Sequence, residues 1–220
     1  MRHADPANAD WLAHPALGDS LRLLAGRGEV RRYAKGTLLI QEGDIGDTVY
    51  VILAGRLRAF SLDATSGREI TYGTFGPGEN IGELGLDGGP RSASVIALES
   101  SVCSVVTRPT LEAFIAEKPA FAFELLAKVI HRARSTTLTA RSMALNDVYG
   151  RLRRLLDSLA GAPGEEGRVV GERLTHQDIA NRIGCTREMV SRVMKDLENG
   201  GYVMPDAGHL RLLKPLPARW

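Results

Sequence analysis

Three side chains of complementary chemistry lie close together in the run Ile81-Gly-Glu-Leu-Gly-Leu-Asp-Gly-Gly-Pro-Arg-Ser-Ala-Ser94. They are the carboxylate of Glu83, the guanidinium of Arg91 and the hydroxyl of Ser92, on a backbone loosened by Gly82, Gly85, Gly88 and Gly89. Arginine offers a planar, permanently charged fork to phosphate oxygens, and glycines let main-chain N–H groups approach the same anion. A nearby carboxylate can accept from a sugar hydroxyl. Taken alone, an isolated Gly–Arg loop of this kind reads better as a Gly-rich hairpin with Glu and Arg at the surface.

A second group lies near the C-terminus, in Leu174-Thr-His-Gln-Asp-Ile-Ala-Asn-Arg-Ile-Gly-Cys-Thr-Arg-Glu-Met-Val-Ser-Arg-Val-Met194. Thr175 is an N-cap with Asp178 in the first turn, Ile183-Gly184-Cys185 makes a turn, and Thr186 caps a second helix. Ile179, Ala180 and Ile183 bury the first helix; Val190, Val193, Met194 and Leu197 bury the second. Arg187, Glu188, Ser191 and Arg192 are left outward. Arg can fork onto guanine and Glu can accept from cytosine N4 in a major groove. A Glu188–Arg192 pair on a solvated helix accounts for two of these residues as well.

The elements that must position these groups follow from the pattern. From Tyr33 to Thr107 the chain reads as short strands, with twelve of the 24 glycines between Gly36 and Gly89. Turn signals at 42–44, 66–67 and 76–78 have the spacing of an all-β barrel or sandwich, for which a jelly roll is the natural closure. After Pro119, Leu126, Ile130, Ala133, Thr137, Ala140 and Ala144 make a heptad stripe, which predicts a long helix with a coiled-coil seam and parallel dimerisation. Val148–Ala160 reads as another amphipathic helix, 161–167 as an exposed loop, and Tyr202-Val-Met-Pro with His209-Leu-Arg-Leu-Leu as a hairpin whose tip is Asp206-Ala-Gly.

The ordered G-E-L-G-L, then R-S-A, closely resembles the phosphate-binding cassette of cyclic-nucleotide-binding domains in the form found in the cyclic-AMP receptor (catabolite activator) proteins of the Crp/Fnr superfamily. G-C-T-R-E-M-V-S-R strongly resembles the G-C-S-R-E-T-V-G-R recognition helix of the same family. The resemblance runs from about Tyr33 to Leu213. It implies an α+β chain: a cyclic-nucleotide-binding jelly-roll β-barrel with an N-terminal helix (1–119), a dimerisation helix (120–147) and a winged helix-turn-helix (148–220). It implies cyclic AMP as allosteric ligand, held by Gly82, Glu83, Leu84, Gly85, Arg91 and Ser92, with Thr136 and Thr137 matching a Thr-Ser pair that reaches the adenine. Arg187, Glu188 and Arg192 would read the bases of double-stranded DNA in a TGTGA-type palindrome. Thr175, Gln177 and Thr186 would hold phosphates. The implied partners are DNA, a second copy of the chain and RNA polymerase, although the 161–167 loop keeps the place and not the residues of a polymerase contact. Divergent relatives sense cyclic di-GMP, haem or nothing.

Bulk properties narrow the alternatives. A chain of 220 residues with 44% apolar and 25% charged residues has the composition of a globular protein able to bury one large or two modest cores. No apolar run approaches a membrane span and the polar N-terminus lacks a signal pattern, so a cytoplasmic location is expected. Two cysteines are too few for the iron–sulfur form of sensor. The five histidines (His3, His14, His131, His176, His209) all lie outside the barrel span, so neither a metal site nor an enzyme is expected. Residues 148–220 carry 12 Lys/Arg against 9 Asp/Glu, a mildly basic balance compatible with nucleic acid. Arg91 is expected at the surface, where it would contribute little to stability.

Overall fold

The computed structural model describes residues 11–164 and 166–219. The reading of the N-terminus, His3 included, falls largely on residues outside that range, as does Glu165 of the 161–167 loop. Two compact units emerge, one comprising residues up to Ser61 with Thr71–Arg132, the other Leu62–Ile70 with the chain from Ala133.

The first unit carries strands β1 (Glu29–Tyr33), β2 (Leu38–Ile40), β3 (Val49–Ala54), β4 (Leu57–Leu62), β5 (Glu69–Phe75), β6 (Asn80–Ile81), β7 (Ser94–Ala97) and β8 (Ser101–Val106), except for Leu62 at the end of β4 and Glu69 and Ile70 at the start of β5. They form two four-stranded sheets, ordered β1-β8-β3-β6 and β2-β7-β4-β5. The expected jelly roll is thus two sheets that do not close into a continuous barrel. Helices α1 (Asp19–Ala25), α2 (Arg108–Glu117) and the start of α3 (Ala120–Leu145) supply the remaining layer.

Strand β3 explains the layering. Val49, Val51 and Leu53 pack with Leu17, Leu24, Phe114 and Phe121 of the helical layer. Ile52, on the opposite pleat, packs with Ile40, Leu57, Ile81, Val95 and Cys103 between the sheets. Both faces are therefore dry, which suits the continuous apolar run Val49–Ala54. Strand β1 begins at Glu29, ahead of the expected Tyr33. It is an edge strand with the exposed charges Glu29, Arg31 and Arg32, and edge strands tolerate the charge that hides them from pattern reading.

In the second unit, α4 (Val148–Leu159), α5 (His176–Ile183) and α6 (Arg187–Asn199) surround a core of Tyr149, Leu152, Leu156, Ile179, Val190, Met194 and Leu197. Asp147 caps α4 by accepting from Gly150 N–H at 2.7 Å. Thr175 and Asp178 form a reciprocal capping box on α5, and Thr186 accepts from Met189 N–H on α6. Between them Gly184 is left-handed at φ +66°, a conformation that lets the chain reverse within one residue. The hairpin joins β10 (Val203–Asp206) to β11 (His209–Leu212). Its tip is Ala207-Gly208, both at positive φ, because Asp206 pairs with His209 instead of turning. A third strand, β9 (Arg168–Val169), was not legible in the sequence. It is too short for periodicity, and it is fastened from outside by Arg168, which donates to the Asp157 carboxylate at 2.9 Å.

Candidate functional site

The Gly-rich run folds as a one-and-a-half-turn 3-10 helix, Glu83–Asp87, flanked by Gly82 at φ +89° and Gly88 at φ +87°. Any side chain at Gly85 would collide with the Gly46 carbonyl and the Arg91 guanidinium, and one at Gly46 would meet Arg91 Nη2 at 3.0 Å. Arginine 91 is thus clasped between two glycines, of which Gly46 was not singled out from the sequence.

Arg91 is not a surface residue. It is only 7% exposed, and its Nη1 donates to the Gly82 carbonyl at 2.6 Å while Nη2 donates to the Thr48 carbonyl and to Thr48 Oγ1, both at 3.0 Å. The expectation that it contributes little to stability is corrected accordingly: the guanidinium ties the cassette to the loop before β3. Ser92 and Leu84 are exposed beside it.

Glu83 is buried at 6% exposure. One of its carboxylate oxygens, Oε1, pairs with Arg132 of α3; the other, Oε2, accepts from Asn80 Nδ2 at 3.4 Å. Arg132 also donates to the Asn80 carbonyl and lies 4.8 Å over the Phe75 ring. Lys128, one helical turn earlier, donates to Asn80 Oδ1 at 3.1 Å. Burial first, then the neighbouring Arg132 charge, pulls the Lys128 ammonium below its ordinary pKa. Sequence reading found neither cation. A signal existed: Phe121, Leu125, Lys128 and Arg132 form a second 4-3-4 stripe, beside the predicted seam, whose first member is buried in the helical-layer core and whose second packs against it.

Thr136 and Thr137 lie further along α3, in the second unit. The Thr137 hydroxyl donates to the Ala133 carbonyl at 3.0 Å, the local bond open to any helical threonine. The predicted seam residues Leu126, Ile130, Ala133, Thr137, Ala140 and Ala144 are all exposed on this chain.

On α6, Arg187, Glu188 and Arg192 project into solvent from its first turns. The Glu188 carboxyl is held below its usual range by its own main-chain N–H, then by the Thr186 hydroxyl, so it is an acceptor at neutral pH. Ser191, expected outward, bonds His176 Nδ1 at 2.9 Å and so ties α6 to α5. Thr175 and Gln177 are exposed at the start of α5, with Gln177 Nε2 donating to Asn181 Oδ1 at 2.7 Å. Among the described residues no group of three or more His, Cys, Asp or Glu is placed to hold a metal, and no helix is long and apolar enough to cross a membrane.

A two-sheet unit with a Gly-clasped arginine, followed by a capped helix-turn-helix with a wing, is the architecture of a DNA-binding regulator. Residues 30–118 match the cyclic nucleotide-binding domain model, and residues 173–202 match that of bacterial regulatory proteins of the crp family. The CRP-like cAMP-activated global transcriptional regulator of Mycobacterium tuberculosis is 30% identical over 78% of each chain. The cAMP-activated global transcriptional regulator CRP of Escherichia coli is 29% identical over 87% of this chain and 93% of its own. The structure of the c-di-GMP responsive global regulator CLP of Xanthomonas campestris superposes with a TM-score of 0.78 at 24% identity, covering 89% of this chain and 98% of that one. The chain belongs to the Crp/Fnr family: it is a DNA-binding transcription regulator with a cyclic nucleotide-binding domain.

Proposed function

We propose that the chain is a homodimeric regulator that binds cyclic AMP in its N-terminal unit and a TGTGA-type palindrome with its helix-turn-helix. The observation that carries this reading is the joint presence, in one chain, of the Glu83–Arg91 cassette and an α6 with Arg187, Glu188 and Arg192 free to enter a groove. In this reading Arg91, Ser92 and the N–H groups of Gly82, Leu84 and Gly85 hold the phosphate. Glu83 accepts from the ribose, and Thr136 and Thr137 reach the base. The names of the mycobacterial and enteric relatives favour cyclic AMP over other ligands.

Thr175, Gln177 and Thr186 would anchor DNA phosphates. The exposed stripe of α3, with Leu126 51% and Ile130 43% exposed, supports dimerisation, since a continuous apolar seam calls for a partner. Domain limits at 119 and 147, a cytoplasmic location, a contact with RNA polymerase and the lack of enzymatic activity complete the proposal. Calorimetric titration with cyclic AMP, cyclic GMP and cyclic di-GMP tests the ligand. Micromolar or tighter binding of cyclic AMP alone is the expected result, and binding of cyclic di-GMP alone or of none overturns it.

A further inference from the structure

Asn80 stands where the fold calls for an apolar side chain. It pairs across the sheet with Val51, on the pleat face that packs against the helices, and it is 2% exposed. A buried amide on an apolar face is costly unless its polar atoms are matched. Here they are matched by charged groups only: Oδ1 takes Lys128 Nζ, Nδ2 reaches Glu83 Oε2, and the main-chain carbonyl takes Arg132. An ammonium can only donate, so Lys128 dictates which end of the amide faces it. The other end, Nδ2, is thereby turned to the Glu83 carboxylate.

We propose that Lys128 and Asn80 are positioning residues that hold the Glu83 carboxylate in the orientation needed to select a ribose with a free hydroxyl. The inference rests on the proposed nucleotide reading of the cassette. In a 3′,5′-cyclic nucleotide the 3′ and 5′ hydroxyl oxygens are both esterified and the ring oxygen carries no hydrogen, so of the ribose groups the 2′-hydroxyl alone can donate to a carboxylate. Glu83 must present a lone pair to that hydroxyl while Oε2 stays anchored by Asn80. Without Lys128 the Asn80 amide oxygen loses its donor, the side chain is free to leave the rotamer that holds Nδ2 against Oε2, and the carboxylate loses that anchor. Lys128 makes no hydrogen bond to the proposed ligand-binding set; its hydrogen bonds go to Asn80 and the Gly78 carbonyl, and its charge faces Glu83 across Asn80.

The test is calorimetry on the full chain with two probes, cyclic AMP and 2′-deoxy cyclic AMP, together with thermal melts. The wild type is expected to prefer cyclic AMP. Lys128→Met and Lys128→Gln are each expected to narrow that preference about fivefold, the worth of one hydrogen bond, with little change in the affinity for the deoxy probe. Lys128→Arg, which keeps a donor of the same charge, is expected to restore the preference. A role confined to fastening α3 would lower the melting temperature and leave the ratio of affinities where it was. If the wild type discriminates, and Glu83→Gln abolishes that discrimination while Lys128→Met and Lys128→Gln do not narrow it, the positioning role is wrong and the cassette reading stands. If the wild type does not discriminate at all, the ribose role of Glu83 falls and the inference falls with it.

Discussion

Arg91 and the two cysteines show how burial redirects side-chain chemistry. Replacing Arg91 with Leu removes three charge-assisted bonds, leaving the Thr48 carbonyl without its guanidinium donor and the Gly82 carbonyl with only the Gly85 N–H. We expect Arg91→Leu to lose nucleotide affinity and also about 1–3 kcal/mol of stability, read from denaturant melts beside calorimetry. A stability equal to wild type would place the guanidinium in solvent. Cys103 is packed between the sheets, and desolvation pushes its thiol up to about 12. Burial raises Cys185 as well, though it is only partly covered. At pH 8 a thiol reagent is expected to label Cys185 slowly and Cys103 only after unfolding, because the thiolate is the reactive form. Rapid labelling of both in the native protein would contradict this packing.

The helices from α3 onward were the most legible elements and the short strands the least, while α2 (Arg108–Glu117) went unread between them. Caps announce themselves by residue type, so Thr175 and Thr186 marked α5 and α6 to within a residue, while α4 was read from its apolar period. Strand β9 has two residues, and β1 breaks apolar alternation with charge. Neither offers a period to detect. Within the site, Glu83 and Arg91 were visible because the cassette is continuous in sequence. Arg132, Lys128 and Asn80 were not, because their meeting depends on packing α3 against β6. Gly184→Ala tests the turn between α5 and α6: a left-handed alanine whose Cβ would meet Met143 Cε at 3.2 Å is expected to cost roughly 1–2 kcal/mol in a thermal or urea melt. The α3 seam has its own test, since charges at Ile130 and Ala140 would be buried without partners at a helix–helix interface. Sedimentation of Ile130→Glu/Ala140→Glu is expected to show monomers. A dimer of wild-type stability would move the interface elsewhere.

At the scale of the whole molecule, one helix contributes to both units: α3 carries Arg132 at the end of one and Thr137 near the start of the other. In the proposed reading a nucleotide engaging Glu83 would compete with Arg132 for the same carboxylate, and so would act on the helix that continues toward the DNA-binding half of the chain. Coupling of this kind is typically worth about 1–3 kcal/mol, up to roughly a hundredfold in affinity. The direct measurement is fluorescence anisotropy of a labelled TGTGA–TCACA palindrome, titrated with the full chain at one fixed salt concentration with and without cyclic AMP, beside a scrambled duplex. Tighter palindrome binding with cyclic AMP is expected, with at least tenfold selectivity over the scrambled sequence and loss of about 1–3 kcal/mol of that selectivity in Arg187→Ala or Arg192→Ala. Equal affinity with and without the nucleotide, or equal affinity for both duplexes, would contradict that expectation.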